Sequence, residues 1–158
     1  ERCRNAAQVC KVGSVQAYNA AKATKDDIAD LIGGNSLPDG ETSANKWDQL
    51  VDRSSLMQHL ELRFDDLIQP GVANDASFQS QADEIIVAAE LCAAIAEVLA
   101  AKGMEDAGDE DYVGYCRRLQ EAVEAIVDAL QRNNGGDVRS AAGEISKSCS
   151  ECHEAYRG

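Results

Sequence analysis

Hydrophobic residues recur along most of the chain at the three- and four-residue spacing of an α-helix, and Gly- and Asp-rich breaks divide the pattern into segments. The pattern predicts five helices, at about residues 2–32, 44–69, 77–102, 110–133 and 137–156. The stretch Thr24-Lys25-Asp26-Asp27 resembles a capping box and predicts a restart of the first helix at Thr24. Asp137 is the predicted N-cap of the last helix. Runs of β-branched or aromatic residues are scarce, so the sequence predicts an all-α protein.

Short breaks join the last four predicted helices, which is typical of antiparallel neighbours. We therefore predict an up-down-up-down four-helix bundle over residues 44–158 and an N-terminal helical extension over residues 1–43, within one compact domain. The predicted inward-facing residues are Leu50, Met57, Leu60, Phe64 and Leu67 on the second helix, Tyr112, Cys116, Leu119, Val123, Ile126 and Leu130 on the fourth, and Val138, Ala142, Ile145, Cys149 and Cys152 on the last.

The third predicted helix is apolar on almost every side, with a single narrow polar line formed by Asp83, Glu90 and Glu97. It is shorter than the roughly 20 residues that span a bilayer, and it contains acids, so we expect no membrane insertion. A helix that is buried on one face normally carries a broad polar face on the opposite side. Because the third predicted helix has only a narrow polar line, a further element should cover its remaining apolar surface. We predict that the N-terminal helix packs there on the outside of the bundle; the alternative is a homodimer interface.

The chain carries 28 acidic and 15 basic residues, a formal net charge of −13. This charge argues against nucleic acid and against anionic membranes as partners, since both recruit basic groups. We expect redox partner proteins with basic patches, or else a charge that serves solubility alone. Six cysteines are typical of an oxidising compartment, and no signal peptide is visible at Glu1. We expect a periplasmic or otherwise exported chain after signal removal, or a fragment of a longer one.

Cys149, Cys152 and His153 form a C-x-x-C-H motif, the pattern of covalent haem attachment. Two thiols three residues apart share a helix face and match the two vinyl groups of a haem, while the adjacent histidine reaches the iron. A zinc site is the first alternative, but the only other histidine is His59 and there is no second C-x-x-C. A redox dithiol of the thioredoxin type is the second alternative, but it would require a neighbouring βαβ unit, which this sequence does not predict. The motif therefore predicts one covalently attached haem c, with His153 as the proximal iron ligand.

The stretch from Cys149 to Arg157, with an aromatic residue and then an arginine after the histidine, resembles the end of the cytochrome c′ and cytochrome c-556 family. The stretch Arg53-Ser54-Ser55-Leu56-Met57 is similar to the motif on the family's first bundle helix. The resemblance covers about residues 44–158 and implies a four-helix haem bundle. It also implies that Arg53 and Arg157 lie near the haem and that Met57 faces the distal side of the iron.

The role of Met57 decides the predicted function. Met57 lies on the same helical stripe as Leu60, whereas His59 lies roughly 200° from Met57 around the helix and should face solvent. If Met57 ligates the iron, the haem is six-coordinate and suited to electron transfer. If it only packs there, a five-coordinate haem resembling that of cytochrome c′ would bind nitric oxide or carbon monoxide. A partner-binding bundle with an incidental haem is a third class. No nucleophile or acid–base pair is evident, so we do not expect an enzyme.

Four cysteines remain outside the haem motif: Cys3, Cys10, Cys92 and Cys116. Cys3 and Cys10 would stand roughly 10 Å apart on a helix, too far for a disulfide. We predict two bridges that tie the N-terminal helix to Cys92 and Cys116. The alternatives are a Cys3–Cys10 bridge with a Cys92–Cys116 bridge, or four free thiols.

Overall fold

The computed structural model describes residues 13–35 and 46–156, which form an all-α protein without a strand in that part of the chain. The chain divides into two compact units, Glu1–Asn45 and Lys46–Gly158. The helices are α1 (Val15–Ile32), a 3₁₀ turn (Trp47–Gln49), α2 (Arg53–Arg63), a π-helical turn (Phe64–Ile68), α3 (Gln69–Gly71), α4 (Asp75–Ser80), α5 (Ala82–Leu99), α6 (Glu110–Gln131) and α7 (Gly135–Tyr156). None of the helices in the described ranges is long and apolar enough to cross a membrane.

In the first unit, α1 begins after Ser14, whose hydroxyl accepts a hydrogen bond from the Ala17 N–H at 3.2 Å. The helix continues without a break through Thr24, so the predicted restart at that residue is wrong. The Thr24 hydroxyl instead donates to the carbonyl of Ala20 at 3.1 Å, one turn back in the same helix. The predicted helical residues 2–12 lie outside the described residues, and packing of this helix on the bundle stays a prediction.

The first helix of the bundle begins at Arg53 rather than near residue 44, because Asp52 is its N-cap. The backbone of Asp52 is extended, and its carboxylate accepts a hydrogen bond from the Ser55 N–H at 2.8 Å. Leu50 therefore precedes the helix instead of contributing to its inward stripe, and the buried positions that the pattern missed are Leu56 on α2 and Ile68 in the π-helical turn.

The same helix passes through a π-helical turn just before Pro70. There the Gln69 N–H donates to the carbonyl of Phe64, five residues back. A proline has no N–H to donate and normally breaks the helix, whereas a π turn changes the hydrogen-bonding register before it. The chain therefore stays helical to Gly71, close to the predicted stop.

The predicted third helix is two helices, α4 and α5, which are separated at Gln81 by a non-helical backbone. The polar line of α5 is exposed as predicted, but Val87 and Leu91 are exposed beside it, so the outer face is wider than the pattern indicated.

The predicted cap of the last helix is also wrong. Asn134, not Asp137, accepts from the first N–H groups of α7, since the turn at residues 133–134 brings its side chain over them.

Contacts at one end of the bundle establish the antiparallel order of its helices. The ring of Tyr112, at the start of α6, lies 5.2 Å from the ring of Tyr156, at the end of α7. Arg53, at the start of α2, pairs with Glu105 in the α5–α6 loop at 2.9 Å. The starts of α2 and α6 therefore share one end of the bundle with the ends of α5 and α7, as an up-down-up-down bundle requires.

All six residues of the predicted inward stripe of α6 are buried, which confirms the helical period there. On α7, four of the five predicted residues are buried and Cys149 is half-buried. The core is filled mainly by aliphatic side chains from α5, α6 and α7 that are less than 2% exposed: Ile85, Leu99, Ile126, Val138 and Ile145 together with Ile68 at the end of the π turn.

The cap at Asp52 predicts a measurable acid dependence of stability. The Ser55 N–H and hydroxyl lower the pKa of Asp52 below its usual value of 3.8. A carboxyl with a lowered folded-state pKa contributes stability above the unfolded pKa, and that contribution is lost as the pH falls through the folded value. Asp52→Asn keeps a capping oxygen but cannot titrate, so its unfolding free energy should fall less steeply than that of the wild type below pH about 3.8.

Urea denaturation at neutral pH and in acid measures this difference. The same charge change at exposed Asp66 is the control, because Asp66 lies within the helix rather than at its cap. An acid slope that is equal in Asp52→Asn and in the wild type would contradict the role of the cap.

Candidate cofactor site

A cavity of about 640 Å³ lies within the second unit, lined by residues of α2, the π turn, α5, α6 and α7. Its size is in the range of pockets that hold small organic cofactors. The apolar part of the wall includes Leu60, Phe64, Leu119 and Ile145. The four bundle helices thus surround a single space large enough for a planar ligand.

The C-x-x-C-H motif lies on one wall of this cavity. Cys149, Cys152 and His153 all line it from α7; Cys152 is buried, Cys149 is half-buried and His153 is exposed. Burial is the main cause that raises the pKa of both thiols, and both cysteines are free. The two thiols are therefore protonated at neutral pH, unpaired, and next to the cavity.

The other wall is formed by α2, where Met57 and Arg53 line the cavity. Met57 is half-buried and Arg53 is held at the start of the helix. His59 is exposed and is not among the residues that line the cavity. The structure therefore brings Met57 and the α7 motif to the same space and leaves His59 outside it. Arg157 lies outside the described residues.

Two carboxylates hold Arg53 in place on the wall of the cavity. Its guanidinium pairs with Glu105 at 2.9 Å and with Asp106 in a second, shorter contact. Burial acts to lower the pKa of Arg53, but the two carboxylates outweigh it and raise the pKa above its usual value. Asp106 has a left-handed backbone with φ of 60°, a conformation that aspartate tolerates better than most residues. The α5–α6 loop is thereby shaped to meet the start of α2.

Cys92 also lines the cavity, which corrects the predicted disulfide bridges. Cys92 and Cys116 are free thiols, 1% and 6% exposed, so neither lies on the outer surface of the bundle where a covering helix could reach it. Burial, followed by the neighbouring Cys149, raises the pKa of Cys92 to about 11. Burial, followed by Cys152, raises the pKa of Cys116 to about 11. The bridges to Cys92 and Cys116 find no support, and Cys3 and Cys10 lie outside the described residues.

The sequence pattern placed Tyr112 in the core but did not mark it as a site residue. Tyr112 is 1% exposed, lines the cavity, and has a buried hydroxyl for which the described residues supply no hydrogen-bond acceptor. Burial is the main cause that raises its pKa to about 12. The available signal in the sequence was a polar residue in the first turn of a helix whose start lies level with the C-x-x-C-H motif of its antiparallel neighbour.

These residues fit a covalently attached haem. Two free thiols and a histidine share a wall of the cavity, and an orphaned hydroxyl on another wall can meet a polar group of the ligand. Among the described residues, no three His, Cys, Asp or Glu side chains gather into a metal-binding group, so the zinc alternative finds no ligand set there. The fold and the site together define a c-type cytochrome built on a helical bundle.

Comparison with known families agrees with this class. The family model described as Cytochrome C′ matches residues 107–157, which cover α6 and the haem motif on α7. The match confirms, over that part of the chain, the resemblance to cytochrome c′, and it implies covalently bound haem c with its iron. It does not reach α2, which carries Arg53 and Met57. No curated protein and no solved structure matches the chain.

Proposed function

We propose that the protein is a monohaem cytochrome that transfers electrons through a His/Met-ligated iron. The observation that carries the proposal is the cavity itself, in which Cys149, Cys152 and His153 of α7 share one space with Met57 of α2. When bound, the haem supplies the one-electron chemistry, and the protein supplies its attachment, ligands and surroundings.

Each residue has a distinct part in this proposal. Cys149 and Cys152 hold the haem through thioether bonds, so that it cannot dissociate from an exported carrier. His153 is the proximal ligand of the iron. Met57 is the distal ligand, and its thioether favours the ferrous state and so raises the reduction potential. Apolar side chains such as Leu60 and Phe64 exclude water from the distal side.

The charges around the cavity support a basic redox partner. Glu61, Asp65 and Glu105 line the cavity, and the whole chain has a formal net charge of −13. A negative surface of this kind speeds the encounter with a positively charged patch, an effect that salt weakens. The proposed role is that of an exported carrier rather than an enzyme, as is typical of the cytochrome c′ family. A homodimer stays a proposed alternative for the exposed residues of α5.

The second candidate function is the binding of nitric oxide or carbon monoxide at a five-coordinate iron. The resemblance to the cytochrome c′ family supports it as a candidate, because in some members of that family the distal residue covers the iron without bonding it. The two candidates use the same cavity and the same proximal ligand. They differ only in whether the Met57 sulfur bonds the iron.

Absorption spectra of the ferric and ferrous forms distinguish the two candidates. With Met57 as a ligand, the wild type should be low-spin and show a charge-transfer band in the far red. Met57→Ala should convert nearly all of the iron to the high-spin state and allow rapid binding of carbon monoxide, because it removes the sixth ligand. The matched control is His59→Ala, two residues away on the exposed side, which should leave the spectrum unchanged.

A high-spin wild type that binds carbon monoxide rapidly, without displacing a ligand, would contradict electron transfer through a His/Met iron. It would favour the gas-binding alternative. If His59→Ala loses the low-spin spectrum of the wild type and Met57→Ala keeps it, the distal ligand was assigned to the wrong residue.

A further inference from the structure

The hydroxyl of Tyr112 needs an explanation that the bundle does not provide. Tyr112 is 1% exposed, and the described residues supply no hydrogen-bond acceptor for its hydroxyl; the Arg53 guanidinium is close enough to act on it as a donor. A buried hydroxyl without a partner destabilises the fold, and natural proteins contain few such groups. Because Tyr112 lines the cavity, the missing partner can come from a ligand in that cavity.

The neighbours of this hydroxyl show which kind of group it lacks. Arg53 lies near enough to act on the pKa of Tyr112, but a guanidinium only donates hydrogen bonds and cannot accept one. Cys116 and Cys152 are the other close polar side chains, and thiols are weak acceptors. The ring itself is fixed edge-on against Tyr156, with 5.2 Å between the ring centroids. The Tyr112 hydroxyl is therefore a positioned donor that lacks a strong acceptor.

We propose that the Tyr112 hydroxyl donates a hydrogen bond to a propionate carboxylate of the haem, next to Arg53. This inference rests on the proposed function, since it requires the haem that Cys149 and Cys152 attach. It adds Tyr112 as a positioning residue for that group.

The charges around the cavity explain why a neutral donor is useful there. A haem brings two carboxylates into a cavity that is already lined by Glu61, Asp65 and Glu105. Arg53, the only arginine among the described residues of its wall, shares its charge with Glu105 and Asp106. A phenol that keeps its proton stabilises a carboxylate without adding charge, and burial raises the pKa of Tyr112 to about 12. Tyr112 therefore remains a donor at neutral pH.

The test compares haem-loaded Tyr112→Phe with haem-loaded Tyr115→Phe. Tyr115 lies on the same helix and also packs against Tyr156, at 6.2 Å between centroids, but it does not line the cavity. In Tyr112→Phe the propionate bending band of the resonance Raman spectrum should shift. The midpoint potential should fall, because a carboxylate without its donor stabilises ferric iron more strongly. Tyr115→Phe should match the wild type in both measurements.

A Tyr112→Phe protein with a wild-type Raman band and potential overturns the proposal. A variant in which only the vibrations of iron-bound carbon monoxide shift also overturns it, since the hydroxyl would then face the distal ligand.

If the phenylalanine variant does not fold, incorporation of 3-fluorotyrosine at position 112 keeps the shape of the side chain. Its more acidic hydroxyl should shift the band in the opposite direction to phenylalanine. A wild type without covalent haem overturns both proposals, whereas an unchanged band in a haem-loaded variant overturns only this one.

Discussion

Replacing both Cys149 and Cys152 with serine should abolish covalent haem attachment. Serine keeps the size and polarity of each side chain on α7 but cannot form a thioether bond, so any haem in the cavity would dissociate when the protein is denatured. The intact mass of the wild type should exceed the 16.9 kDa of the polypeptide by one haem, whereas the double variant should have the mass of the polypeptide alone. Mass spectrometry under denaturing conditions measures both.

Cys92→Ser is the matched control, because Cys92 is a free thiol that lines the same cavity from α5. It should retain the full mass of the haem-loaded wild type. Loss of haem in Cys92→Ser, or its retention in the double variant, would contradict the assignment of the attachment site to α7.

Replacing Ile85 with alanine should destabilise the bundle by about 2–5 kcal/mol, the usual cost of truncating a fully buried isoleucine. Ile85 is 1% exposed on α5 and packs beside Gly71, where an added Cβ would lie only 2.9 Å from the Ile85 side chain. Such close packing leaves little room for the core to collapse around the missing atoms. Urea denaturation of the haem-loaded protein, monitored by circular dichroism, measures the change in the free energy of unfolding.

Ile86 is the matched control, since it is the same residue type at the next position of α5 and is only half-buried. Ile86→Ala should cost about half as much as Ile85→Ala or less, in proportion to the apolar area that it removes from the core. Equal losses of unfolding free energy in the two variants would indicate that α5 turns a different face to the core than it does in the structure.

The agreement between pattern and structure is best where a helix has one clear apolar stripe. On α6 the six predicted inward residues, from Tyr112 to Leu130, are all buried. Along the second predicted helix the stripe is weaker: Leu50 precedes α2, Phe64 and Leu67 lie in the π turn, and of the five predicted residues only Leu60 is buried. Much of the α2 face lines the cavity rather than packing against another helix, and periodicity alone does not distinguish a residue that packs from one that faces a ligand.

The errors at helix ends have a common cause. Asp52, Asn134 and Thr24 each have side chains that can cap a helix or bond back to a preceding turn. Asp52 and Asn134 cap, while the Thr24 hydroxyl donates within its helix. The residue type allows either outcome, and the surrounding backbone decides between them.

The sequence alone determined the all-α class, the haem motif and its helix, because these depend on spacings of three to seven residues within one element. Which residues meet across the cavity was decided only by the tertiary structure. Cys92 and Cys116 counted as spare cysteines in the sequence, yet the packing of α5 and α6 against α7 turns them inward, beside the two thiols of the C-x-x-C-H motif. Tyr112 counted as one more core residue, and only the assembled bundle places its hydroxyl at the cavity, where the part of the chain that the structure describes supplies no acceptor for it. Local spacing specifies the face of a helix, whereas the identity of its neighbours depends on how distant helices pack together.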